Sequence, residues 1–109
     1  MTKTKLLHYS FVESQDSPAT DPIIVFLLGG PGVATMSLGL FGGIGPLIAT
    51  SQQNATLVEN PNTWNKRANL LFIDNPAGVG YSFGATEYDQ LHNDDSVARD
   101  LLTMMKLFY

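Results

Sequence analysis

The sequence predicts an α/β fold, and only part of one. Two continuous apolar runs, IIVFLL at residues 23–28 and NLLFID at residues 69–74, read as strands covered on both faces. Strands of that kind belong to sheets with helices on either side. Each run stops at a glycine-rich stretch, GGPG at 29–32 and NPAGVGYSFG at 75–84. One good helix follows near the end, so much of the material that should cover such a sheet is missing.

Residues 6–13, LLHYSFVE, carry aromatic and β-branched side chains and are expected to form one strand. The cluster SQDSPATDP at 14–22 is turn chemistry. Its short span makes the strands at 6–13 and 23–28 expected antiparallel neighbours. Residues 36–48 are glycine-rich and apolar, expected to hold one helical turn and a loop. NPNTWN at 60–65 is a turn around the single tryptophan. From Asn93 onward, NDDSVARDLLTMMKLFY reads as a helix. Asn93, Asp94 and Asp95 supply its cap and favourable charge. Val97, Leu101, Met104, Met105 and Phe108 form its apolar stripe. The apolar pattern runs to the last residue with no cap, as expected of an incomplete domain.

Of the 109 residues 44% are apolar and 15% charged. The charged share is low against a typical value of about 25%, which implies little solvated surface. The net charge of −4 argues against nucleic acid, which needs a basic footprint. No apolar run approaches the ~18–20 residues of a membrane span. The N-terminal MTKTKLLHYSFVES has no long apolar core or cleavage site, so no signal peptide is read there. The absence of cysteine removes thiolate catalysis and cysteine-ligated zinc, and no cluster has metal-ligand spacing. No cofactor is expected. Asn54-Ala55-Thr56 fits a glycosylation acceptor only by its triplet.

The glycines at 29–32 admit three readings. A phosphate loop fails on spacing, because no Gly-Lys-Ser/Thr end follows and Thr35 stands where G-x-G-x-x-G needs glycine. A tight turn needing positive φ is the plain reading. A loop presenting backbone N–H groups to a developing oxyanion, at the C-terminal end of a strand, is the functional one. Gly80-Tyr81-Ser82-Phe83-Gly84 matches G-x-S-x-G, yet no strand directly precedes Ser82 and no helix directly follows it. His92 comes before Asp94 and Asp95, and no histidine follows them, so the order Ser, acid, His is not met. Ser82 is therefore expected to support a glycine loop, not to attack a carbonyl. His8 is expected to be a packed or edge histidine and His92 a solvated one. Asp74 is expected to bind loop amides or to serve as a structural acid, and Asp94, Asp95 and Asp100 to be cap and surface charge.

Together these segments resemble serine carboxypeptidases, which have the α/β-hydrolase fold. YSFVES at 9–14, GGPG at 29–32, NPNTWNKRANLLFID at 60–74 and PAGVGYSFG at 76–84 carry the resemblance. It implies a partial α/β-hydrolase sheet, residues 1–109 being the N-terminal portion of a single domain that stops before the nucleophile elbow. The Ser-Asp-His triad would lie beyond these residues, so no catalytic residue is assigned among them. Gly30 would supply one oxyanion-hole N–H, and Gly29 would bind substrate. The resemblance implies peptide substrates, release of C-terminal residues through an acyl-enzyme, and a vacuolar, lysosomal or secreted setting; oligomeric state is not implied. Phe26 and Leu28 replace a tryptophan and an asparagine, Gly42 and Gly43 an acidic pair, and Val33 a cysteine. The asparagine and the acids belong to a clamp for the substrate carboxylate. Two alternatives stay open: a non-catalytic remnant, or another α/β-hydrolase or acyltransferase with altered specificity. The 109 residues alone are expected to be inactive.

Overall fold

The computed structural model describes residues 4–30, 32–50 and 56–109. Pro31 and the Asn54-Ala55 part of the glycosylation triplet lie outside them. Among these residues the architecture is mixed α/β, built on three small sheets and one long helix.

The central element is β6 (Asn69–Ile73), whose Leu70, Leu71, Phe72 and Ile73 are wholly buried. Five consecutive buried positions explain the unbroken apolar run, since both faces of the strand are covered. β2 (Tyr9–Val12) pairs with β6 antiparallel, Tyr9 opposite Ile73 and Val12 opposite Leu70. β3 (Ile23–Phe26) pairs with it in parallel, Ile23 beside Asn69 and Phe26 beside Phe72.

The order β2-β6-β3 corrects the expected pairing of the first two strands. The most apolar strand takes the centre, where both of its edges are paired, and separates the two that are adjacent in sequence. β3 is therefore an edge strand, and Val25 is 38% exposed, so the expected burial of both its faces is not met in these residues.

The single strand expected over 6–13 is two strands. β1 (Lys5–Leu6) pairs antiparallel with β7 (Phe83–Gly84), while β2 stays on β6. The break falls at His8, whose carbonyl accepts the Asp74 N–H at 3.0 Å and whose N–H donates to Ser82 Oγ at 2.8 Å.

The segment expected to hold a turn and a loop has a π-helical turn, Met36–Leu40, followed by β4 (Leu47–Ala49). β4 pairs antiparallel with β5 (Leu57–Glu59). These short strands lack strong alternation, which hid them from a pattern reading.

α1 (Asp94–Phe108) begins as expected, on a capping box: Asn93 Oδ1 accepts the Ser96 N–H at 2.9 Å, and Ser96 Oγ accepts the Asn93 N–H at 3.1 Å. Its Leu101, Met104, Met105 and Phe108 pack around Leu71 and Ile73, with Leu7 and Ile23. Burial of a side chain such as Met104 contributes about 2 kcal/mol. The opposite face of the sheet carries Phe72 against Phe26, and Phe26 against Trp64, with ring centroids 5.9 and 6.2 Å apart. Asp100 departs from expectation: it is buried and ion-paired with Lys5 Nζ at 2.9 Å, tying α1 to β1.

The segment at 60–69 acts as a set of amide clamps. Asn60 Nδ2 donates to Gly43 O at 2.8 Å and Gly45 O at 2.9 Å, and its Oδ1 accepts from Asn62 N. Asn65 Nδ2 donates to Glu13 O at 3.0 Å. Asn69 Oδ1 accepts from Ser14 N at 2.9 Å while its Nδ2 donates to Pro18 O and Asp21 O. All three are buried, and each joins segments far apart in sequence.

Candidate functional site

The parallel pairing of β3 and β6 brings their C-terminal ends to one edge of the sheet, the place where ligands bind in open α/β sheets. Two glycine loops leave from that edge, residues 27–35 after β3 and residues 74–82 after β6. The first is closed at its base by the Leu28 N–H, which donates to Oγ1 of buried Thr35 at 3.2 Å. Gly30 and Gly32 have φ of +91° and +84°, and Val33 N donates to Gly30 O at 3.1 Å. Both glycines thus sit in the left-handed region that residues with a Cβ rarely adopt. Gly29 and Gly30 are exposed, and among the described residues the Gly30 N–H has no partner.

The loops are joined by Asp74, which is 0% exposed. Its Oδ1 accepts the Met36 N–H at 3.1 Å, at the start of the π-helical turn beyond the first loop. Its Oδ2 accepts the Tyr81 N–H at 3.2 Å and meets His8 Nδ1 at 3.2 Å. A carboxylate can only accept, so the imidazole donates from Nδ1. Asp74 binds loop amides as its position predicted. Gly80 makes room for this: its φ is +57°, and a Cβ there would lie 2.5 Å from Asp74 Cγ. The Asn75–Pro76 peptide bond in this loop is cis.

Ser82 has the supporting role that its context predicted. It is buried, its Oγ accepts from His8 N at 2.8 Å and donates to the Asp74 carbonyl, and among the described residues no imidazole or carboxylate hydrogen-bonds it. His92 is half-buried instead of solvated, with Nε2 2.8 Å from Ala77 O. The role of His8 was not readable from sequence, because 66 positions separate it from Asp74.

Between the loops, Ala34, Met36, Ser37, Phe41, Gly80 and Tyr81 line an open concavity of about 580 Å³. Among the described residues the lining carries no charged side chain, and Ser37 Oγ donates to Ala34 O at 2.9 Å. At Gly42 a Cβ would lie 2.8 Å from the Leu38 carbonyl carbon, so this backbone admits no side chain there. Gly43 has φ +121°. Neither position can carry an acid in this conformation without strain. Leu28 is half-buried just before the two glycines.

Comparisons with known proteins agree in direction. Residues 1–109 match the serine carboxypeptidase family. A serine carboxypeptidase-like protein of Arabidopsis thaliana is 42% identical over 99 residues, 91% of this chain and 20% of that protein. A serine carboxypeptidase of Caenorhabditis elegans is 39% identical over 104 residues, covering 94% of this chain and 18% of that protein. Among solved structures, the prohormone-processing carboxypeptidase Kex1 of Saccharomyces cerevisiae superposes with a TM-score of 0.56 at 29% identity, over 82% of this chain and 19% of that one. The chain therefore spans about one fifth of the length of the relatives it matches. With the family match running over every residue, and the glycine loops and the NPNTWNKRANLLFID segment that leads through β6 in place, this chain belongs to the serine carboxypeptidase family.

Proposed function

We propose that this chain forms the oxyanion-hole side of the active site of a serine-type carboxypeptidase with an α/β-hydrolase sheet. The observation behind this reading is exposed Gly30, whose N–H has no partner among the described residues, on the loop that follows β3 and is fastened between Leu28 and Thr35. Such a donor stabilises the oxyanion of a tetrahedral intermediate, by about 2.7–4 kcal/mol where a nucleophile shares the site. Gly29 supplies adjoining backbone for a peptide substrate. Release of the C-terminal residue then proceeds through an acyl-enzyme on a serine outside these 109 residues.

Two measurements test the reading. The purified 109-residue chain should neither hydrolyse a blocked dipeptide nor react with a serine-directed phosphonate; labelling of Ser82 would overturn its supporting role. The gene product recovered from its source with an antibody to this segment should take the phosphonate and release C-terminal residues. A gene product that does neither fits the non-catalytic remnant instead.

A second reading is favoured by one observation, the side-chain-free backbone at Gly42, next in sequence to Phe41 of a concavity whose described lining residues carry no charge. It is an acyltransferase or other α/β-hydrolase whose substrate carries no free carboxylate. Comparing a blocked dipeptide acid with its amide and ester discriminates: preference for the acid supports the carboxypeptidase, and preference for the neutral forms supports the alternative.

A further inference from the structure

We propose that His8 is a positioning residue for this site, holding the Asp74 carboxylate so that it fastens both glycine loops at once. This rests on the reading of the two loops as walls of an active site, but the contacts that carry it do not depend on any reaction.

Four connections converge on His8. Its carbonyl accepts from Asp74 N, and its N–H donates to Ser82 Oγ, which in turn donates to the Asp74 carbonyl. Its Nδ1 donates to Asp74 Oδ2 at 3.2 Å. Its ring lies against Tyr81, centroids 5.1 Å apart and planes tilted by 59°. The backbone connections would persist with any residue at position 8. The Nδ1 bond belongs to the imidazole.

That bond decides where the carboxylate points. Asp74 Oδ2 is shared between the His8 imidazole and the Tyr81 N–H, while Oδ1 reaches Met36 N on the far loop. A carboxylate turning about its Cβ–Cγ bond moves both oxygens together. With His8 and Tyr81 fixing Oδ2, Oδ1 stays aimed at Met36. Met36 and Tyr81 both line the concavity, so the imidazole sets the spacing of its walls without touching its contents. His8 is partly exposed, its side chain being 35% accessible, whereas Asp74 is fully buried. The positioning group therefore sits at the rim and acts inward.

The test compares His8→Phe with His8→Asn, read by amide hydrogen exchange on the intact chain. Phe keeps a ring against Tyr81 and removes the donor. Asn removes the ring and restores an N–H donor near the Nδ1 position. Exchange at the Met36 and Tyr81 amides should rise roughly three- to tenfold in His8→Phe, as loss of one hydrogen bond implies. Leu71 in β6 should be unchanged, and His8→Asn should recover most of the protection. Unchanged Met36 and Tyr81 in His8→Phe, an equal rise at Leu71, or an Asn variant resembling Phe would each overturn the proposal. If neither variant folds, nitrogen chemical shifts of the wild-type imidazole decide: Nδ1 must carry a proton, and a ring with a bare Nδ1 overturns it. No readout uses turnover, so failure of the peptidase reading leaves the test intact.

Discussion

The Met36 backbone N–H donates to Asp74 Oδ1 at 3.1 Å across 38 positions of sequence, and with this contact the loop after β3 is fastened to the loop after β6. Thr35, next to Met36, closes the base of the first loop on Leu28. The end of the first loop is thus held through Thr35 locally and through Asp74 at long range.

Replacing Asp74 should loosen both loops. Asp74→Asn keeps the shape but turns an N–H₂ toward one set of donors, and should cost about 1–3 kcal/mol. Asp74→Leu leaves the Met36 and Tyr81 N–H groups without their acceptor and should cost more. Urea denaturation followed by Trp64 fluorescence measures both, with the order Asn before Leu.

The glycines of the two loops should differ in tolerance. Gly80→Ala places a Cβ against the Asp74 carboxyl at positive φ, so destabilisation above about 2 kcal/mol is expected from strain and clash. Nothing lies within 4 Å of a Cβ at Gly29, and Gly29→Ala should melt within about 1 kcal/mol of wild type. Thermal denaturation of the pair checks the contrast.

Asn60 should be irreplaceable by a residue of similar size without its amide. Asn60→Leu leaves buried Gly45 O, and Gly43 O, without their donor and Asn62 N without its acceptor. The expected loss is about 2–4 kcal/mol, summed from unsatisfied groups. Hydrogen exchange should show it concentrated in residues 42–47 and 60–64.

The Lys5–Asp100 pair, with side chains 10% and 8% exposed, should behave as a buried ion pair. Removing one partner, as in Asp100→Leu, strands a charge and should cost about 3–5 kcal/mol. The double variant Lys5→Met with Asp100→Leu should recover most of that stability. A double-mutant cycle by chemical denaturation gives the coupling.

The residues alone determined the elements whose cause is local. A run of apolar side chains is buried, so β6 was readable; a cap at Asn93, acids in the first turn and a 3.6-residue apolar stripe mark a helix, so α1 was readable. Glycines where only positive φ serves marked both loops, and the missing strand and helix beside Ser82 gave its supporting role. Tertiary structure decided what depends on partners distant in sequence. The pairing of β1 with β7, the place of β6 between β2 and β3, the burial of Asp100 on Lys5 and the bond from His8 to Asp74 all join segments tens of residues apart. No side chain states in advance which distant group will satisfy it. That choice is made when the sheet closes and each buried donor must find its acceptor.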